Sequence, residues 1–128
     1  MKIKMMLMLS CSLEFVTGLA LIVVPSLVAS VLFSAGLTPG GEAVGRVGGF
    51  ALVSLAVASW RRPEADHEQS VRALFFYNLL AASYLGYLRI SGEFSSFLLF
   101  PVSALHGVLA LLFARGAYKS VISKDPSR

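Results

Sequence analysis

Met5-Met6-Leu7-Met8-Leu9-Ser10-Cys11-Ser12-Leu13-Glu14-Phe15-Val16-Thr17-Gly18-Leu19-Ala20-Leu21-Ile22-Val23-Val24 is the stretch whose reading decides the fold. At about 1.5 Å per residue, these roughly 20 residues reach about 30 Å as a helix, the thickness of the hydrocarbon layer of a bilayer. Ten of them are Leu, Ile, Val or Phe. At about 0.3 to 0.6 kcal/mol each, they offset the roughly 2.5 to 3.5 kcal/mol that a charge near the helix centre costs. The helix is therefore expected to insert, with Glu14 turned toward protein rather than lipid.

Three further apolar stretches of about 18 to 20 residues follow at Ala43–Trp60, Val71–Ile90 and Ser96–Arg115. None alternates like a barrel strand, and their Leu, Ala, Val and Phe content with scattered glycines suits packed membrane helices. Pro25 and Ser26 end the first span. Leu27 to Phe33 is too short to cross and reads as a short interfacial helix. Ser34 to Gly41 reads as a loop from its Gly and Pro content, Arg61 to Gln69 as a polar connection, Ser91-Gly92-Glu93 as a tight turn and Lys124 to Arg128 as a tail. The expected fold is all-α, a single integral membrane four-helix bundle over residues 1–128.

Composition agrees: the 128 residues are 56% hydrophobic and 14% charged, with a mean hydropathy of +0.76. So short a soluble chain cannot hide that much apolar surface in one core. The net charge of +4 gathers at span ends, leaving no basic face to track a nucleic acid. With four crossings, one side carries Lys2, Lys4, Arg61, Arg62, Arg72, Arg115, Lys119, Lys124 and Arg128, and the other only Arg46 and Arg89. Both termini are thus expected in the cytoplasm. Met1-Lys2-Ile3-Lys4 before an apolar run also has the look of a secretory signal, and Met8-Leu9-Ser10-Cys11 of a lipoprotein cleavage box. The uncleaved helix is preferred, because the run before Cys11 is short for a signal core and Glu14 interrupts the longer version.

Polar residues inside the spans carry the chemistry. Counted at about 1.5 Å per residue from their helix ends, Glu14, Ser54, Asn78 and His106 all fall near the midplane, one from each long helix. With Tyr77 beside Asn78, they are expected to form one hydrogen-bonded cluster that lines a ligand site. Glu14 and His106 form a pair able to exchange a proton, as in proton relays and quinone sites. The competing reading is plain helix cohesion at about 0.6 kcal/mol per contact. For Asn78 and Ser54 singly, cohesion is the preferred reading. A second group, Arg46, Tyr84, Tyr87 and Arg89, lies toward the other face. It reads first as interfacial anchoring, with an anion or headgroup site as the sharper alternative. Gly45 with Gly49 and Ser103 with Gly107 are steps that let helices approach closely, and Pro101 is a candidate kink above His106.

Cys11 is the only cysteine, so an internal disulfide and a thiolate-only metal site are excluded. There is no nucleotide-binding glycine loop, no His-x-x-x-His pair and no recognisable Ser-His-Asp set. Of the two histidines, His67 falls in a connection, which argues against haem held by two membrane histidines. No metal, named cofactor or catalytic residue is assigned.

The strings Leu13-Glu14-Phe15-Val16-Thr17-Gly18-Leu19-Ala20-Leu21 before Pro25, Gly45-Arg46-Val47-Gly48-Gly49 leading to Trp60, Tyr77-Asn78, and Phe100-Pro101 leading to Leu105-His106 carry a resemblance. They look like those of a group of small bacterial four-helix membrane proteins, similar in plan to the DoxX-like group. The resemblance implies a bacterial inner-membrane location and four crossings. For the DoxX-like group it implies quinone-linked thiol or sulfur redox chemistry, where this chain departs by having a single thiol.

Three function classes follow. The first is an inner-membrane bundle binding a lipophilic or weakly polar small molecule at Glu14, Asn78 and His106. The second is a non-catalytic accessory or assembly subunit of a membrane complex, quinone-linked redox included. The third is an oligomeric transporter or proton pathway, which four helices serve as a homo-oligomer.

Overall fold

Apolar periods and proline punctuation translate into helices throughout. The computed structural model describes residues 3–60 and 67–122, with side chains as far as Gly116. Among these residues every regular element is helical: α1 (Ile3–Val23), α2 (Pro25–Phe33), α3 (Pro39–Ser59), α4 (His67–Ser91) and α5 (Leu99–Ile122). The connection 61–66, the tail 123–128, Lys2 and the Lys119 side chain lie outside the described residues, and with them several charges on which the expected orientation rests.

Capping explains where the boundaries depart from expectation. Thr38 accepts a hydrogen bond from the Gly41 N–H at 3.1 Å, and Pro39 at the first helical position has no N–H to leave unpaired. Thus α3 starts four residues before Ala43, and Gly40-Gly41 belong to its first turn rather than to a loop. His67, Glu68 and Gln69 likewise lie in α4, where Glu68 accepts from Arg72 at 2.6 Å one turn on. Ser96 does not open α5; its hydroxyl accepts from the Leu98 N–H at 3.3 Å before the helix begins. Pro101 then falls in the first turn of α5, where its missing N–H breaks nothing, so it serves as an initiator rather than a kink. Gly92 follows α4 with φ +76°, a left-handed conformation that a side chain would strain.

The helices α1, α3 and α5 as far as Gly116 are each long and apolar enough to cross a membrane. At 25 residues, α4 matches them in length, but Arg72, Tyr77, Asn78, Tyr84, Tyr87 and Arg89 interrupt its apolar run. Large apolar side chains stand exposed around the outside, among them Ile90, Phe97, Val44 and Val23. A surface so apolar is uncommon on a soluble monomer and ordinary for helices that face lipid.

Packing follows two pairs. α1 lies against α3 and α4 against α5, with fewer contacts between the pairs. A Cβ built on Gly49 would stand 2.6 Å from the Gly18 carbonyl oxygen, and one on Gly18 would stand 2.8 Å from the Gly49 oxygen. No side chain larger than hydrogen fits that crossing. The pairs share a buried apolar plug of Met6, Leu7, Cys11, Ala56, Val71, Leu74, Leu109 and Phe113, at the end where α1 and α4 begin and α3 and α5 finish. At the opposite end α2 bridges the pairs. Ser26 donates to Glu42 of α3 at 2.5 Å, Ser96 donates to the Val31 carbonyl at 3.1 Å, and Phe33 packs on Phe94 with ring centroids 5.2 Å apart.

Candidate functional site

Immediately above the apolar plug, α1, α4 and α5 turn polar side chains toward one another. Leu74, one turn before Asn78 on α4, belongs to the plug; its carbonyl accepts from Asn78 Nδ2 at 2.8 Å. That bond fixes the amide: a carbonyl oxygen only accepts, so the atom facing it must be the nitrogen. Nδ2 also points at Ser10 Oγ of α1, 3.4 Å away. Asn78 Oδ1 is thereby turned to α5, where His106 Nδ1 lies 2.8 Å from it. Because Oδ1 can only accept, the proton on the imidazole sits on Nδ1, and in the neutral ring Nε2 is left as an acceptor.

Tyr77 completes the arrangement. Its ring meets His106 edge to face, with centroids 5.7 Å apart and planes at 82°, and its phenol faces the Glu14 carboxyl. Glu14 is only 1% exposed. Its Oε1 is buried without any hydrogen-bond partner, the one such side-chain atom among the described residues. An acceptor stripped of water and given nothing in return is costly by about 1 to 3 kcal/mol, more when charged. Asn78 is wholly buried, while Tyr77 and His106 are partly exposed. The Asn78 amide is thus bonded through both its nitrogen and its oxygen, and Tyr77 and His106 are the members of the group that keep some exposure.

Asn78 and Tyr77 of the expected cluster therefore meet His106, and Tyr77 turns toward Glu14. Ser54 does not join them. It lies on the exposed side of α3 and turns its hydroxyl back to the Phe50 carbonyl at 2.8 Å, as helical serines in apolar surroundings commonly do. Ser10 takes its place, a residue that depth-counting passed over. Its signal was present, since Ser10 precedes Glu14 by four residues and so shares its face of the helix.

The second expected group is not assembled. Arg46 of α3 donates to Glu42 Oε2 at 3.2 Å, one turn back, and Glu42 is also held by Ser26. Tyr84, Tyr87 and Arg89 are exposed on α4, and no hydrogen bond, ion pair or ring contact among the described residues joins them to Arg46. The Arg46–Glu42–Ser26 network ties α2 to α3 instead. No group of three or more His, Cys, Asp or Glu among the described residues is placed to hold a metal ion.

Two open grooves flank the outer side of α1. One of about 300 Å³ is lined by Ser12, Phe15, Val16, Ala56, Val57 and Trp60. The other, of about 470 Å³, is lined by Lys4, Met5, Met8, Leu9 and Ser12. Neither is lined by a member of the polar cluster. No protein-family model, curated protein or solved structure matches the chain, so the chemistry of the site rests on its own side chains.

Proposed function

We propose that the chain crosses the bacterial inner membrane four times with both termini in the cytoplasm, and that it holds a lipophilic or weakly polar small molecule between its helices at Glu14. In this reading α4 is the fourth span, and its polar Asn78 is sheltered from lipid by α1 and α5. The nine-to-two split of lysine and arginine supports the orientation. The likeness in plan to small DoxX-like membrane proteins supports the cellular membrane named. The observation that carries the ligand reading is the buried Glu14 Oε1 without a partner. A residue whose only task was to lock helices together would have its oxygens used, as Asn78 has its amide used.

The test is mass spectrometry of small molecules that copurify with the protein in mild detergent. The intact chain retains a discrete lipophilic compound, and Glu14→Gln and His106→Ala lose most of it while still inserting into membranes. Equal retention by both variants removes the proposal.

A further inference from the structure

The two grooves on the outer side of α1 share Ser12, which lines both. Together they make one furrow, with Met5, Met8 and Leu9 near the start of α1 and Phe15, Val16 and Val57 farther in. From Lys4 to Val16 the helix rises about 18 Å, at about 1.5 Å per residue. One leaflet of a hydrocarbon layer roughly 30 Å thick is about 15 Å deep. The furrow is therefore about one leaflet long. Its wall is apolar along that length, and the Ser12 hydroxyl is turned back to the Met8 carbonyl at 2.8 Å. Charge is confined to the end where α1 begins and α3 finishes. Lys4 lines the furrow there, and Trp60, which lines it at the close of α3, is followed directly in the sequence by Arg61 and Arg62.

Resting on the membrane crossing and orientation proposed above, we propose that an anionic phospholipid of the cytoplasmic leaflet docks on this face, with one acyl chain in the furrow and its phosphate at Lys4. An apolar tail one leaflet long with a negative head matches both the lining and the place of the cation. A neutral lipophile fills the furrow but gains nothing from the cation, whereas each lysine or arginine at the surface of an anionic leaflet adds to binding. A second copy of the chain fits worse. Two copies inserted the same way keep the same ends level, so a two-fold contact through this face sets Lys4 and the arginines after Trp60 against their own counterparts.

Trp60 is the only tryptophan in the chain, so its fluorescence reports what occupies the furrow. The full-length protein is reconstituted in phosphatidylcholine vesicles, and phosphatidylglycerol brominated near the top of one acyl chain replaces the host lipid stepwise. Phosphatidylcholine brominated at the same place is the comparison. Bromine quenches tryptophan on close approach. The anionic lipid half-quenches Trp60 at about one fifth of the fraction that the neutral lipid needs, the effect of about one surface cation. Lys4→Gln brings the two fractions to within about twofold, and Ser12→Phe, which fills the furrow from an exposed position, does the same while the neutral lipid still quenches. Equal fractions in the unaltered chain overturn the docking and leave the membrane crossing standing. Quenching by neither lipid at any protein-to-lipid ratio overturns the membrane reading as well. Shielding from both lipids that is lost equally on dilution marks a second copy on this face and also overturns the proposal. A preference that survives Ser12→Phe overturns the furrow as its seat, and one that survives Lys4→Gln overturns the headgroup assignment. The ratio in the unaltered chain decides the matter even where a variant does not insert.

Discussion

The two helix pairs solve the same problem by opposite means. At the α1·α3 crossing, Gly18 and Gly49 bring backbone against backbone, and no polar side chain takes part. At the α4·α5 crossing, Ser103 donates to the Ala82 carbonyl at 2.9 Å, Gly86 makes room for that hydroxyl, and Asn78 meets His106 lower down. In the proposed membrane setting, lipid would remove most of the hydrophobic drive between helices, leaving close van der Waals approach or hydrogen bonding to hold them. The first is dry and chemically silent. The second is polar, and Tyr77 and His106 beside it keep some exposure.

Breaking the dry crossing has the largest effect. Gly49→Val forces a side chain into space occupied by the Gly18 carbonyl and Ile22, and should cost about 3 kcal/mol, the upper end of the overpacking range. Detergent unfolding midpoints would reveal this as loss of most of the folded population. The polar crossing is less sensitive at any single residue. Asn78→Leu leaves the His106 Nδ1 proton and the Ser10 hydroxyl without their partner and should cost about 1 to 2 kcal/mol in the same assay. Ser103→Ala removes one interhelical bond and should cost about 0.6 kcal/mol. Smallest is Ser54→Ala, which should stay within about 0.5 kcal/mol and leave small-molecule retention unchanged. A large effect at Ser54 would return it to the cluster and contradict its outward placement.

How far the molecule was legible follows from what each signal measures. Long apolar runs favour long helices, so all four long helices and the short α2 were visible in composition. Helix starts are set by single capping atoms, which is why Thr38 and Pro39 pulled Gly40 and Gly41 into α3 against their loop-like appearance. Depth comes from rise per residue, and it led to the expectation of Glu14, Asn78 and His106 at one level; of these, Asn78 and His106 are hydrogen-bonded. Rotation about the axis is separate information. Ser54 is five residues past Gly49, which faces α1, and five steps of about 100° leave it about 140° around the helix. The same reasoning would have found Ser10, one turn from Glu14 on its own face. Arg46 was given a role at the outer face, but Glu42 one turn earlier supplied a nearer partner.

The account turns on the state of one ring. Solid-state NMR of isotope-labelled histidine and asparagine in lipid bilayers reads it directly, giving the protonated nitrogen of His106 and its proximity to the Asn78 carboxamide. The predicted result is a proton on Nδ1, correlated with the Asn78 side-chain carbonyl, and an unprotonated Nε2. A proton on Nε2, or no correlation between the two residues, would contradict the polar crossing and the ligand site built on it.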